Sequence, residues 1–331
     1  MQSGRRNFVA VLAALLMLLV APAAPVLAAE GTPLAIDEGQ FVEINGVEQW
    51  VTIRGTDRDN PVILLLHGGP GFTLSFLAPI YSEWEKHFTI VQWDQPGSGA
   101  TGLKNKDLPP GEMNIARYVR DGLTVTDWVR KRLDVDKVVL VGTSWGSLLG
   151  VEMVHRRPEL FSYYVGTSQP VGTKGNLVGY QLGLKAARER GDQVAVDALT
   201  KVGQPPYKTF QDFFVRAQYT NPPGVPATPG ETTASAEMIA VMMKPDPNAR
   251  YNAPLPIPPG YDGGFMAAQN ATWKETWAWE ARPLGLTFKV PVLIVMGEVI
   301  STHPPRLPAN ISTRSRRRRR RSKSSPAPAT A

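Results

Sequence analysis

Apolar runs that lack a polar alternation recur along the chain at 62–66, 88–93, 138–141, 161–166 and 290–296. A strand that is apolar on both faces is a strand covered on both faces, so these runs predict the strands of a parallel sheet. Between them the spacing changes to that of a helix. Ile115, Val119, Leu123, Val129 and Leu133 fall on one face of the segment 114–133, and 77–87 and 145–157 are expected to be helical as well. The helix at 145 should stop before Pro158, whose ring disfavours helical geometry in the residue ahead of it. Residues 38–55 read as two strands around Asn45-Gly46, a strong hairpin signal. Strands that alternate with helices imply an α/β fold, with a mostly parallel sheet wrapped on both faces.

The rhythm changes near 169. Helical stretches at 177–190, 209–219 and 265–279 are separated by proline-rich loops at 221–230 and 245–260, and the strand pattern returns at 290. An insertion between two strands of one sheet predicts a helical cap over the sheet's C-terminal edge, where α/β folds bind ligands. The expected organisation is a signal peptide at 1–29, the first part of the core at 30–168, the cap at 169–288, a seventh strand at 289–298 and a disordered basic tail at 299–331.

Composition and charge refine this picture at the two ends. Arg5 and Arg6 precede an apolar run at 8–20 that is too short to span a bilayer comfortably, and small residues up to Ala29 offer a cleavage site. The segment reads as a secretory signal, either of the twin-arginine type or of the general type with two ordinary arginines. An exported protein, periplasmic or extracellular, is therefore expected, without a transmembrane span once the signal is removed. The chain has no cysteine, so it forms no disulfides. Its formal net charge of +7 comes from the tail, where Arg306, Arg314, Arg316 to Arg321 and Lys323 stand without a single acid. The folded body is mildly acidic and gives no reason to expect a nucleic-acid partner.

The candidate chemistry centres on Gly142-Thr143-Ser144-Trp145-Gly146, which joins a predicted buried strand to a predicted helix. A Gly-x-Ser-x-Gly turn in that setting pushes the serine hydroxyl out over the sheet edge, beside the free N–H groups of a helix start. Two further glycine-rich loops follow predicted strands: His67-Gly68-Gly69-Pro70-Gly71 and Asp94-Gln95-Pro96-Gly97-Ser98-Gly99. In this order and spacing, the three motifs resemble those of the prolyl aminopeptidase-like family of α/β hydrolases, peptidase family S33, over residues 38–298. The resemblance implies an α/β-hydrolase fold with a helical cap after the sixth strand, Ser144 as nucleophile, and the N–H groups of Gly69 and Trp145 as oxyanion hole. It also implies Asp94 as a structural acid nearby, and a mechanism without cofactor or metal. The implied substrate is a short peptide that loses its N-terminal residue, proline among the candidates, or a small ester.

This sequence departs from the family at identifiable places. Family members usually carry arginine where Pro96 stands. The glutamate-bearing, Trp-rich cap helix of true prolyl aminopeptidases has no counterpart at 179–192. Trp273, Trp277, Trp279 and Glu280 lie near the cap's end instead, either as a pocket with Glu280 facing an ammonium group or as cap core.

A serine hydroxyl also needs a base, oriented by a carboxylate, and the family's order is Ser, acid, His. Glu298 begins the acid's loop on schedule, but Val299 and Ile300 occupy the positions where an aspartate belongs, and no eighth strand or closing helix follows. His303 follows in the right order, yet it stands too close to Glu298 for a strand to intervene, so the pair are weak candidates for acid and base. His67 fits a loop-bracing role better. The tail reads either as a basic arm for anionic surfaces, on an otherwise non-catalytic binding protein, or as an out-of-frame sequence. Because it breaks off inside a family motif, the second reading is preferred, and the chain as written is expected to be catalytically crippled.

Overall fold

The computed structural model describes residues 34–220, 264–285 and 287–296. The expected signal peptide, the tail, Glu298 and His303 lie outside these residues. The strands are β1 (Ile36–Ile44), β2 (Val47–Gly55), β3 (Val62–Leu66), β4 (Thr89–Trp93), β5 (Val138–Thr143), β6 (Phe161–Thr167) and β7 (Val292–Val295). They form one sheet in the order β1-β2-β4-β3-β5-β6-β7. β1 and β2 make the predicted hairpin, with Asn45 at φ 50° and Gly46 at φ 82° in its turn. β2 pairs antiparallel with β4, and every later pairing is parallel. The chain leaves β3 towards β4 on one side and returns to β5 on the other. The loops after β3 and β5 therefore part at the sheet's switch point, where such folds open a crevice.

Both faces of the central strands are covered, as the apolar runs required. Leu64, Leu66, Val91, Trp93, Val138 and Leu140 point into the larger core with Tyr118, Leu148 and Met153. Ile63, Leu65 and Ile90 fill a smaller one against Phe88 and Tyr81. Helix α3 (Ile115–Leu133) lays its apolar stripe on the first core, and α4 (Trp145–Arg156) is buried almost all round. A helix apolar on every side belongs inside a fold, and α4 sits directly beneath the site.

Some elements differ from the sequence reading. The helix expected at 77–87 is a 3-10 stretch, Ser75–Tyr81, followed by one turn, α1 (Ser82–Glu85). Pro79 has no N–H to give an α-helical ladder. Helix α2 (Gly99–Lys104) opens directly from the Asp94 loop and was not expected. Between β6 and β7 come α5 (Thr173–Glu189), α6 (Gln193–Val202), α7 (Phe210–Thr220) and α8 (Phe265–Ala278). Of these, α6 escaped the sequence reading, although Asp192 is a good cap whose carboxylate accepts the Ala195 N–H at 3.0 Å. No helix among the described residues is long and apolar enough to cross a membrane.

Among the described residues β7 pairs with β6 alone, and Leu293, Ile294, Val295 and Met296 are each 44–51% exposed. An apolar edge of this kind is a template for pairing with another chain. The full chain is therefore expected to self-associate as its concentration rises. Leu293→Lys with Val295→Lys should raise the concentration at which light scattering begins, and an unchanged onset would show that this edge is covered in solution.

Candidate active site

The turn between β5 and α4 holds Ser144 at φ 51° and ψ −118°, a conformation that costs a non-glycine residue roughly 1–3 kcal/mol. Surrounding hydrogen bonds impose it. The Ser144 N–H donates to the Thr167 carbonyl at 2.9 Å. The Ser144 carbonyl accepts from the Ser147 N–H at 2.9 Å and from the Ser147 hydroxyl at 2.7 Å. Gly146 makes the turn possible, because a Cβ there would lie 2.1 Å from the Leu66 carbonyl oxygen and 2.6 Å from that of His67. The absence of that one atom lets the end of β3 rest directly on the elbow. Gly68, next along, would place a Cβ 3.5 Å from the Ser144 Cβ. Ser144 is half-buried, and Trp145 N–H, first in α4, has no acceptor within its own helix.

The loops after β3 and β4 are locked together through buried polar groups. His67 Nδ1–H donates to the Gly68 carbonyl at 2.8 Å, and Nε2 accepts the Gln95 N–H at 3.1 Å. Gln95 returns the contact, its amide donating to the His67 carbonyl at 3.2 Å and accepting the Trp145 indole N–H at 3.1 Å. Asp94 is equally committed: it accepts from the Thr73 hydroxyl, from the Ser75 hydroxyl at 3.2 Å and from the Ala100 N–H at 2.8 Å. Both ring nitrogens of His67 and both carboxylate oxygens of Asp94 are thus engaged within the loops.

The alpha/beta hydrolase fold family matches residues 61–299. The chain belongs to it. The relatives agree with the resemblance carried by the three glycine motifs. A probable aminopeptidase, YbaC, of Bacillus subtilis (strain 168) is 33% identical over 169 residues, covering 50% of this chain and 52% of that protein. A proline iminopeptidase of Lactobacillus delbrueckii subsp. lactis is 25% identical over 144 residues, covering 43% of this chain and 44% of its own. Thus the chain spans about half the length of the curated relatives it matches. Among solved structures, a proline iminopeptidase-related protein of Thermus thermophilus is 16% identical, with a TM-score of 0.41 over 78% of this chain and 89% of that one.

Among the described residues of this α/β-hydrolase chain, no hydrogen bond joins a histidine to Ser144. Both ring nitrogens of His67 are engaged within the loops. His155 is in the last turn of α4, about 15 Å along the helix from its start, with its ring against Phe288 at 4.6 Å. His87 precedes β4, at the end of the sheet opposite the site.

Glu280 is engaged by the start of the cap. Its carboxylate accepts the Thr173 N–H at 3.0 Å and so caps the start of α5. Trp279 donates its indole N–H to the buried Glu152 at 2.8 Å. Trp273 and Trp277 pack with each other at 5.5 Å and against Phe213, and Trp277 meets Tyr207 at 5.1 Å. The cluster is packing core, the plainer of its two sequence readings. Sequence reasoning missed Gln95 and Gln269, both buried; an amide has no motif, and only its partners reveal its use.

Burial pushes the His67 ring from 6.5 down to about 4, against a smaller upward pull from its bond to Gly68. A folded pKa below the unfolded one gives a contribution that is full above about 6.5 and lost as pH falls towards 4. It is on the order of 3 kcal/mol. Asp94 has the opposite sign. Burial lifts its carboxyl from 3.8 to about 6, although Thr73, Ala100 and Ser75 pull it down. Its contribution is full below 3.8 and lost as pH rises through 6. The two windows overlap and oppose each other, so Asp94→Asn should unmask His67. The variant's melting temperature should rise with pH between 4 and 6 more steeply than the wild type's, measured by thermal unfolding at stepped pH. Gly146→Ala, which forces β3 off the elbow, should cost about 3 kcal/mol or more by denaturant titration.

Proposed function

We propose that the protein is an exported serine hydrolase of the proline iminopeptidase type, or a related esterase, that attacks a carbonyl carbon with Ser144. The observation that carries this reading is the backbone of Ser144, held at φ 51° on a strand-to-helix turn in a half-buried position. In the proposed step the Ser144 oxygen bonds to the carbonyl carbon as its proton passes to a base. The carbonyl oxygen becomes an oxyanion between the N–H groups of Gly69 and Trp145. Collapse of the tetrahedral species expels the amine or alcohol, which takes the proton, and leaves an acyl-enzyme. Water then repeats the sequence and frees the acid. The substrate is an N-terminal aminoacyl group of a short peptide, proline among the candidates, or a small ester.

Glu298 and His303, which stand in the required order, are the weak candidates for acid and base, and as this chain is written we expect them to work poorly. Without a competent base, the oxyanion hole and substrate binding leave about a thousandfold over water. With a base that works poorly, the full chain should hydrolyse proline 4-nitroanilide or 4-nitrophenyl acetate slowly but above that floor, and Ser144→Ala should lower turnover to the floor while leaving the melting temperature within a few degrees. Turnover unchanged by Ser144→Ala would end the reading.

The second reading is a binding protein that holds the same ligand without turning it over, tethered by its basic tail. It is favoured by the distance of His87 and His155 from the serine and by the engagement of both His67 nitrogens elsewhere. Binding of prolinamide by a chain with no Ser144-dependent turnover would select it. Export rests on the 1–29 segment. A mature start close to Glu30 is expected on N-terminal sequencing of periplasmic or secreted material, and Met1 on soluble cytoplasmic protein would count against it. Replacing Arg5 and Arg6 with lysine should stop a twin-arginine route and spare the general one.

A further inference from the structure

The loop that carries Gly69 is fixed at one end by the elbow, where Gly68 rests against Ser144. Its other end meets α8, far away in sequence. Gly71 has φ 86°, and a Cβ there would lie 2.6 Å from the Phe265 Cα and 3.2 Å from the Ala268 Cβ. The loop backbone thus touches the first turn of α8 with no side chain between them. One turn further along, Gln269 is only 4% exposed and donates its side-chain N–H to the Pro70 carbonyl at 2.9 Å. Phe265 is itself backed by Phe210 of α7 at 5.2 Å, so this face of α8 is held from behind.

The consequence is mechanical. Proline fixes its own φ, which leaves ψ as the soft dihedral of Pro70. A hydrogen bond to the Pro70 carbonyl fixes ψ as well. The glycines on either side have no such restraint of their own. We infer that Gln269 is a positioning residue for the oxyanion loop: by holding the Pro70 carbonyl it aims the Gly69 N–H towards the space beside Ser144. The inference rests on the proposed roles of Ser144 and Gly69. It adds that the inserted segment, through α8, sets the geometry of the hole, so that a displacement of α8 loosens the hole as well as uncovering it.

The test uses the full chain with Gln269→Met, which keeps the length and removes the donor, and Gln269→Glu, whose carboxyl donates only when protonated. The first readout is hydrogen–deuterium exchange of residues 67–74, corrected for intrinsic rates. The second is affinity for phenylboronic acid, which becomes tetrahedral on Ser144 and places an oxygen in the hole. Gln269→Met should raise loop exchange about tenfold, leave α3 and β5 unchanged, and weaken the boronic acid about tenfold. Gln269→Glu should be loose at about pH 7.5 and regain the wild-type protection at about pH 5, because burial keeps the introduced carboxyl protonated above its usual range. A residue that merely filled space would show no such recovery. If Gln269→Met exchanges globally, the two pH values within Gln269→Glu decide the matter in one chain. Unchanged loop exchange in a folded Gln269→Met, or the same looseness of Gln269→Glu at both pH values, overturns the inference. Failure of the wild type to bind the boronic acid sinks the role of Ser144 instead, and loop exchange still judges Gln269.

Discussion

Everything around the serine depends on one close approach, the seating of the Leu66 and His67 carbonyls against Gly146. There is room for backbone there and for nothing else. Because β3 ends on the elbow, His67 is driven into the interior, where an imidazole must have both nitrogens satisfied or lose several kcal/mol. Its partners come from the loops after β3 and β4, so Gln95 and Ser98 are drawn in. Gln95 in turn takes the Trp145 indole, and Tyr118 packs edge-on against that ring at 5.4 Å while its hydroxyl donates to the Pro96 carbonyl. A steric fact at one glycine thus propagates into a polar lattice that spans three loops and two helices.

The lattice is electrically quiet by construction. His67 is neutral at physiological pH because burial disfavours its cation and because Nε2 must accept the Gln95 N–H. Asp94, ionised above about pH 6, spends its charge on donors within the loops. Neither group projects a free charge onto the serine. On the proposed reading a ligand would meet backbone N–H dipoles, the kind of group that favours an oxyanion over a neutral carbonyl without having to reorganise.

Much of this was legible in the chain because it is local. Buried parallel strands announce themselves as unbroken apolar runs, and β3, β4, β5 and β6 fell within a residue or two of their expected limits. The serine turn was legible for the same reason, since Gly142 and Gly146 stand next to the residue they release. What could not be read depends on partners distant in sequence. Gln269 meets Pro70 from 199 positions away, and no periodicity marks it. Glu280 invited a reading as an amine anchor because a lone carboxylate among tryptophans looks available. The structure brings the start of α5 to it, and a helix N-terminus satisfies a carboxylate as well as an ammonium would. The 3-10 stretch at Ser75–Tyr81 has the composition of a helix, but a proline within it withholds one bond of the ladder.

On the proposed reading, the two halves of serine hydrolysis make different demands on this fold. Stabilising an oxyanion would need the proposed Gly69 and Trp145 N–H groups in place, and the backbone that carries them rests on the strand order, on Gly146 and on the contact of Gly71 with α8. Moving a proton needs a side chain of suitable basicity delivered to one point. By the family resemblance that side chain would come from the chain beyond β7, where the sequence leaves the family's pattern. The first property is distributed over many contacts and survives the loss of any distant segment that does not carry them. The second resides in one or two residues and survives no such loss. Retention of a formed elbow and braced loops is therefore no measure of turnover. The two must be assayed apart, the hole by its affinity for a tetrahedral ligand and the proton relay by the rate at which an acyl group leaves.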